Sequence, residues 1–122
     1  LVIAGIVLLA ISVSLFFQSY SIYYAKGESM KPTFGECEIV VADKRFNPSE
    51  LQTGNIVVVD ISSQSVQYNE IVHRVVQNNL VAQQFSTRGD NVALYDFPSS
   101  IDGYFSYDKF LGKVVWYSSC WR

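Results

Sequence analysis

Residues that bind metals or carry redox chemistry are scarce in this chain. Among 122 residues there is one histidine (His73), one methionine (Met30) and two cysteines (Cys37 and Cys120). That inventory matches no zinc-ligand spacing, so no metal and no other cofactor is expected. The two cysteines can pair if the domain lies outside the cytoplasm, and two free thiols are the open alternative. There is no block of basic residues: 9 basic side chains stand against 11 acidic ones, a formal net charge of -2. Nucleic acid is therefore not an expected partner. Internal repeats and low-complexity segments are absent too, and the length fits one domain.

Charge is missing altogether from residues 1–17, LVIAGIVLLAISVSLFF, where Ser12 and Ser14 are the only polar side chains. As a helix this run covers roughly 25 Å, close to the ~30 Å of a hydrocarbon core. Tyr20, Tyr23 and Tyr24 follow it and suit an aromatic belt at a membrane interface. A buried core helix is the first alternative, but the remaining residues can build a core without it. A cleaved signal peptide is the second, but no clear small-residue cleavage site follows. Because the chain opens on Leu1 rather than methionine, further residues are expected upstream.

After residue 25 the pattern becomes strand-like. Glu38-Ile39-Val40-Val41-Ala42, Ile56-Val57-Val58-Val59-Asp60-Ile61, Ile71-Val72-His73-Arg74-Val75-Val76 and Lys113-Val114-Val115-Trp116 are β-branched runs separated by turn signals. Asn78-Asn79 reads as a hairpin turn, with residues 80–87 as the returning strand. Residues 88–103 read as loop. The expected fold class is mostly β, following one N-terminal membrane helix.

Ser29 stands in Gly27-Glu28-Ser29-Met30-Lys31-Pro32-Thr33, directly after the apolar run. A serine is a weak nucleophile unless a base takes its proton. His73 is the candidate base, since its ordinary pKa lies near working pH. Its strand position is equally compatible with an exposed or core histidine. Two carboxylates in the loop from Thr87 to Asp96, Asp90 and Asp96, are candidates to orient the imidazole, or else solvated loop residues.

Taken in order, these segments resemble type I signal peptidases over nearly the whole chain. Gly27-x-Ser29-Met30-x-Pro32-Thr33-Phe34 is similar to that family's nucleophile box, and Gly54-Asn55-Ile56-Val57-Val58 to its second box. Ile71-Val72-His73-Arg74-Val75-Val76 is similar to the base box, Gly89-Asp90-Asn91 to the Gly-Asp-Asn box, and Gly112-Lys113-Val114-Val115 to the closing strand. Most bacterial members place lysine in the base box. Archaeal members and the endoplasmic-reticulum catalytic subunit place histidine, with one aspartate in the Gly-Asp-Asn loop and another six residues later. His73, Asp90 and Asp96 resemble that second branch. Two positions depart from the pattern. Asn55 stands where aspartate is usual, and Gly27 stands where many members have a serine whose hydroxyl helps bind the oxyanion.

The resemblance implies a partly barrel-like catalytic domain over residues 25–122 on an anchor-and-interface segment over residues 1–24. It implies a membrane-bound serine endopeptidase with Ser29 as nucleophile and His73 as general base. Asp96 is expected to orient His73, and Asp90 to hold the loop and pair with Arg74. The implied partners are signal peptides of preproteins, the lipid bilayer and, in association, the secretion machinery, with the catalytic domain on the extracytoplasmic or lumenal side. Met30 is expected to face the membrane, to line a pocket for small substrate residues, or simply to pack in the core. Two other functions share the general fold: a self-cleaving repressor-type peptidase, against which the anchor and His73 argue, and an inactive binding relative, against which the intact Ser29, His73, Asp90 and Asp96 argue.

Overall fold

Residues 2–25, 27, 29–35, 38–91 and 103–118 are described by the computed structural model. The apolar run folds as a helix, α1 (Val2–Ser19), and none of its residues is buried against protein. It is long and apolar enough to cross a membrane, by which a single-pass anchor or a signal sequence can be made. A helix that is apolar on every side has no partner in water and is suited to lipid. Its mid-helix Ser12 hydroxyl bonds back to the Leu8 carbonyl at 2.9 Å, so the polar group is satisfied within the helix.

The described residues then form seven strands: β1 (Tyr20–Tyr24), β2 (Ile39–Asp43), β3 (Ile56–Asp60), β4 (Glu70–Asn79), β5 (Gln84–Arg88), β6 (Tyr104–Ser106) and β7 (Phe110–Tyr117). They make one antiparallel sheet in the order β1-β2-β7-β3-β4-β5-β6. The fold is mostly β with one N-terminal apolar helix. β7, last in sequence, is inserted between β2 and β3, and Gly112 lets it lie close. A Cβ at Gly112 would sit 2.9 Å from the Ala42 methyl and 3.1 Å from the Asp43 carbonyl oxygen.

Strand alternation divides the apolar side chains between two clusters. Leu51, Val57, Val59, Ile61, Val75, Phe85 and Phe105 form the larger one. Met30, Phe34 and Val40 form a smaller one, joined by Tyr23, Ala25, Ile56, Val72 and Val114. The smaller cluster lies under the segment that carries Ser29.

Two local expectations change. Tyr20, Tyr23 and Tyr24 are not merely a belt after the helix but belong to β1, paired with β2 from Tyr20↔Asp43 to Tyr24↔Ile39. Aromatic and β-branched residues favour that pairing as much as an interface. The hairpin turn does not fall at Asn78-Asn79, because β4 continues through both and residues 80–83 make the turn. Asn78 is pinned in place. Its amide nitrogen donates to the Pro48 and Leu51 carbonyls, each at 3.0 Å, and its oxygen accepts from the Tyr107 hydroxyl at 2.6 Å. The Asn79 side chain accepts the Ala82 N–H at 3.1 Å, and Gln83 takes the left-handed conformation at φ 54°.

Candidate active site

The chain leaves β1 through Gly27, whose φ of +86° is a region that a residue with a Cβ rarely adopts. A tight turn follows. The Met30 carbonyl accepts the N–H groups of Thr33 at 2.8 Å and Phe34 at 3.2 Å. Met30 and Phe34 are buried on either side of it, so apolar burial anchors the turn and leaves Ser29 at its start, half-buried.

His73 sits in the middle of β4, opposite Val57 of β3 and buried. Its Nε2 lies 3.0 Å from Ser29 Oγ, 44 positions away in sequence. An imidazole at hydrogen-bond distance from a hydroxyl is the arrangement needed to accept its proton.

Asp90 stands beside this pair and is fully engaged. Arg74 grips it bidentately, Nε to Oδ1 at 2.8 Å and Nη2 to Oδ2 at 2.7 Å. The Thr33 hydroxyl also donates to Oδ2. Burial pushes the Asp90 carboxyl up, but it is outweighed by the hydrogen bonds from Arg74 and Thr33 and by the charges of Arg74 and His73. The net result lies below the ordinary carboxylate value. The bond to Asp90 raises the Arg74 guanidinium in turn, against some desolvation. The next residue, Asn91, donates its backbone N–H to the Ser29 carbonyl at 2.8 Å. The turn that carries Ser29 is thus tied to residues 90–91 twice, through Ser29 and through Thr33.

The segment Gly54-Asn55 braces the same region from the other side. Arg74 Nη1 donates to the Gly54 carbonyl at 2.8 Å, Gly54 N–H donates to Val75 O at 2.9 Å, and Val75 N–H donates to Asn55 O at 2.7 Å. The Asn55 side-chain oxygen accepts the Gln52 N–H at 2.8 Å. An amide oxygen serves that bond as a carboxylate would, which gives Asn55 a turn-holding place away from Ser29 and His73. Asp96, Cys37 and Cys120 lie outside the described residues.

A groove of about 630 Å³ runs past Ser29. It is lined by residues 22–24 of β1 with Ala25 and Gly27, by residues 67–72, which lead into and begin β4, and by Met30, Phe34 and Gly35. Met30 therefore both packs in the core and borders the groove. Neither Thr33 nor residues 67–72 carry a chemical signal of their own in the sequence. Thr33 was visible only as a motif letter, and residues 67–72 have no motif at all.

No curated protein matches the chain. A family model described as signal peptidase, peptidase S26, matches residues 1–96, a span that includes Ser29, His73, Asp90 and Asp96 and stops before the Gly112 strand. The matched span is well over half of the chain and carries the hydroxyl–imidazole pair, and on that ground the chain belongs to the signal peptidase family, peptidase S26, as a serine peptidase of the signal-peptidase type.

Proposed function

We propose that this protein is a membrane-bound serine endopeptidase that removes N-terminal signal peptides from secreted preproteins, and that it belongs to the branch pairing serine with histidine. The observation that carries this reading is the 3.0 Å contact between Ser29 Oγ and His73 Nε2.

In this reading Ser29 Oγ attacks the scissile carbonyl as His73 Nε2 takes its proton. The carbonyl oxygen becomes an oxyanion, for which the Ser29 backbone N–H is one donor. His73 then protonates the leaving amine, and water, activated by the same imidazole, releases the acyl group. Gly27 brings no hydroxyl to the oxyanion, so the backbone carries that work. Both oxygens of Asp90 are occupied by Arg74 and Thr33. That occupancy favours a loop-holding role for Asp90 and leaves the orienting role to Asp96.

The substrate is an extended segment with small residues before the cut, as the family implies, bound by strand addition to β1. Among the described residues β1 is an edge strand, bonded to β2 alone. The bonds Ala25 N–H to Glu38 O and Lys44 N–H to Ser19 O fix the ladder phase. Alternation then turns the backbone groups of Ser21, Tyr23 and Ala25 toward β2 and leaves those of Ile22 and Tyr24 for an incoming strand. The α1 helix holds enzyme and substrate in one bilayer, with the catalytic domain on the extracytoplasmic or lumenal side and the secretion machinery as neighbour.

Purified full-length protein in detergent should cleave a preprotein, and Ser29→Ala should abolish this with its thermal melt nearly unchanged. Substantial cleavage by the pure Ser29→Ala protein would overturn the assignment.

A further inference from the structure

The passage from α1 to β1 is held more firmly than a tether requires. Ser19 ends the helix and Tyr20 begins the strand, with no linker between them. The turn after β2 closes over this junction. Lys44 Nζ donates to the Phe17 carbonyl at 2.8 Å, and Lys44 N–H donates to the Ser19 carbonyl at 2.9 Å. Arg45 Nη2 donates to the Tyr20 hydroxyl at 3.0 Å, and the same guanidinium lies over the Tyr20 ring, 5.1 Å from its centroid. Tyr20 stacks on Phe16, centroids 5.2 Å apart. Asp43, opposite Tyr20 across the strands, accepts from Arg45 Nε at 3.2 Å.

Part of this collar is ordinary helix chemistry, since a cation at a helix C-terminus meets orphan carbonyls and the negative end of the dipole. The Lys44 N–H to Ser19 carbonyl bond continues the β1–β2 ladder, whereas the contacts of the Lys44 and Arg45 side chains lie outside that ladder. A flexible linker would raise the effective concentration of substrate equally well. What a collar adds over a linker is a fixed angle between the helix and the strand that borders the groove.

We propose that Lys44 and Arg45 are specificity-determining residues. By locking α1 to β1 they fix where the groove lies relative to the bilayer. They thereby select which peptide bond, counted from the substrate's own membrane-embedded segment, reaches Ser29. The inference rests on the proposed peptidase reading and adds a spacing rule to it. An extended chain advances about 3.3 Å per residue, so a cleavage site moved four residues farther from the apolar segment is displaced by roughly 13 Å. A locked junction cannot follow such a shift, whereas a loosened one can swing toward it.

The test uses the full chain in liposomes with a series of preproteins, lengthened by roughly two, four and six extended residues between apolar segment and cut. A short soluble peptide serves as the control substrate. The parent should lose at least about tenfold in rate across the series, since misplacement of the reacting bond is costly. Lys44→Ala/Arg45→Ala should lose less than about threefold over the same displacement, while cutting the short peptide at the parent's rate. Lys44→Arg, which keeps a donor for the Phe17 carbonyl, should retain the parent's profile. If the double variant melts early, Lys44→Met alone, which keeps the packing stem, should still flatten the profile. Identical spacing profiles for parent and variants would overturn the proposal. So would loss of peptide cleavage in a folded variant, because the collar would then be serving the site itself. A parent that cuts neither peptide nor preprotein would instead overturn the peptidase reading beneath it.

Discussion

At Asp90 burial and charge pairing act against each other, and pairing wins. Its carboxyl is held below the ordinary value of 3.8 by Arg74 and Thr33, despite burial. A depressed folded-state pKa contributes stability that is present in full above that ordinary value and is lost as pH falls through the folded value. Asp90→Asn should therefore lower stability at neutral pH and flatten its loss below about pH 4. Arg74 is more than a third open to solvent, so the expected cost is about 1–2 kcal/mol rather than the figure for a fully buried pair. Urea melts of the two proteins across acid and neutral pH check this, and the folded variant should keep part of its activity. Asp96→Asn should do the reverse, leaving the melt alone and cutting turnover by up to about 10⁴-fold if Asp96 orients the imidazole. His73→Lys should be inactive or nearly so, because lysine is longer and must be held neutral to act as a base. Processing by that variant at the parental rate would contradict the geometry at Ser29. Ser29, His73 and Asp90 were legible in the sequence because each stands in a short motif. The bond from Thr33 to Asp90 was not, since it joins residues 57 positions apart and only the fold brings them together.

Among the elements, the strands rich in valine and isoleucine were legible because β-branching and alternation mark them directly. β1 was not, because five residues rich in tyrosine directly after an apolar helix suit an interface and a strand equally. The hairpin turn was misplaced for a related reason. Asn78-Asn79 carries turn chemistry, but Asn78 spends it on the 48–51 segment and Tyr107. Gly112 shows what close packing of β7 against β2 demands. Gly112→Ala would place a methyl 2.9 Å from the Ala42 side chain and 3.1 Å from the carbonyl oxygen of the next residue of β2, Asp43. Overpacking of that kind costs about 1–3 kcal/mol, and a lowered urea midpoint with unchanged slope would register it. A midpoint equal to the parent's would mean that β7 can shift at no cost.

For the molecule as a whole, the proposed reading gives encounter to the helix and chemistry to the sheet. A shortened chain that begins at Tyr20 keeps β1, Ser29 and His73, and should still cut a short peptide slowly in detergent. Removal of residues through Tyr24 deletes the edge strand and should abolish cleavage of any substrate. The measurement that bears most directly on the account is a double-mutant cycle on peptide cleavage, with kcat/KM determined for Ser29→Ala, His73→Ala and the combined variant. Groups that act as one catalytic unit are grossly non-additive, so removal of either should cost about as much as removal of both. All three variants should fall to the same floor. A single variant with near-parental activity, or losses that multiply in the combined variant, would contradict the claim that Ser29 and His73 work as a pair.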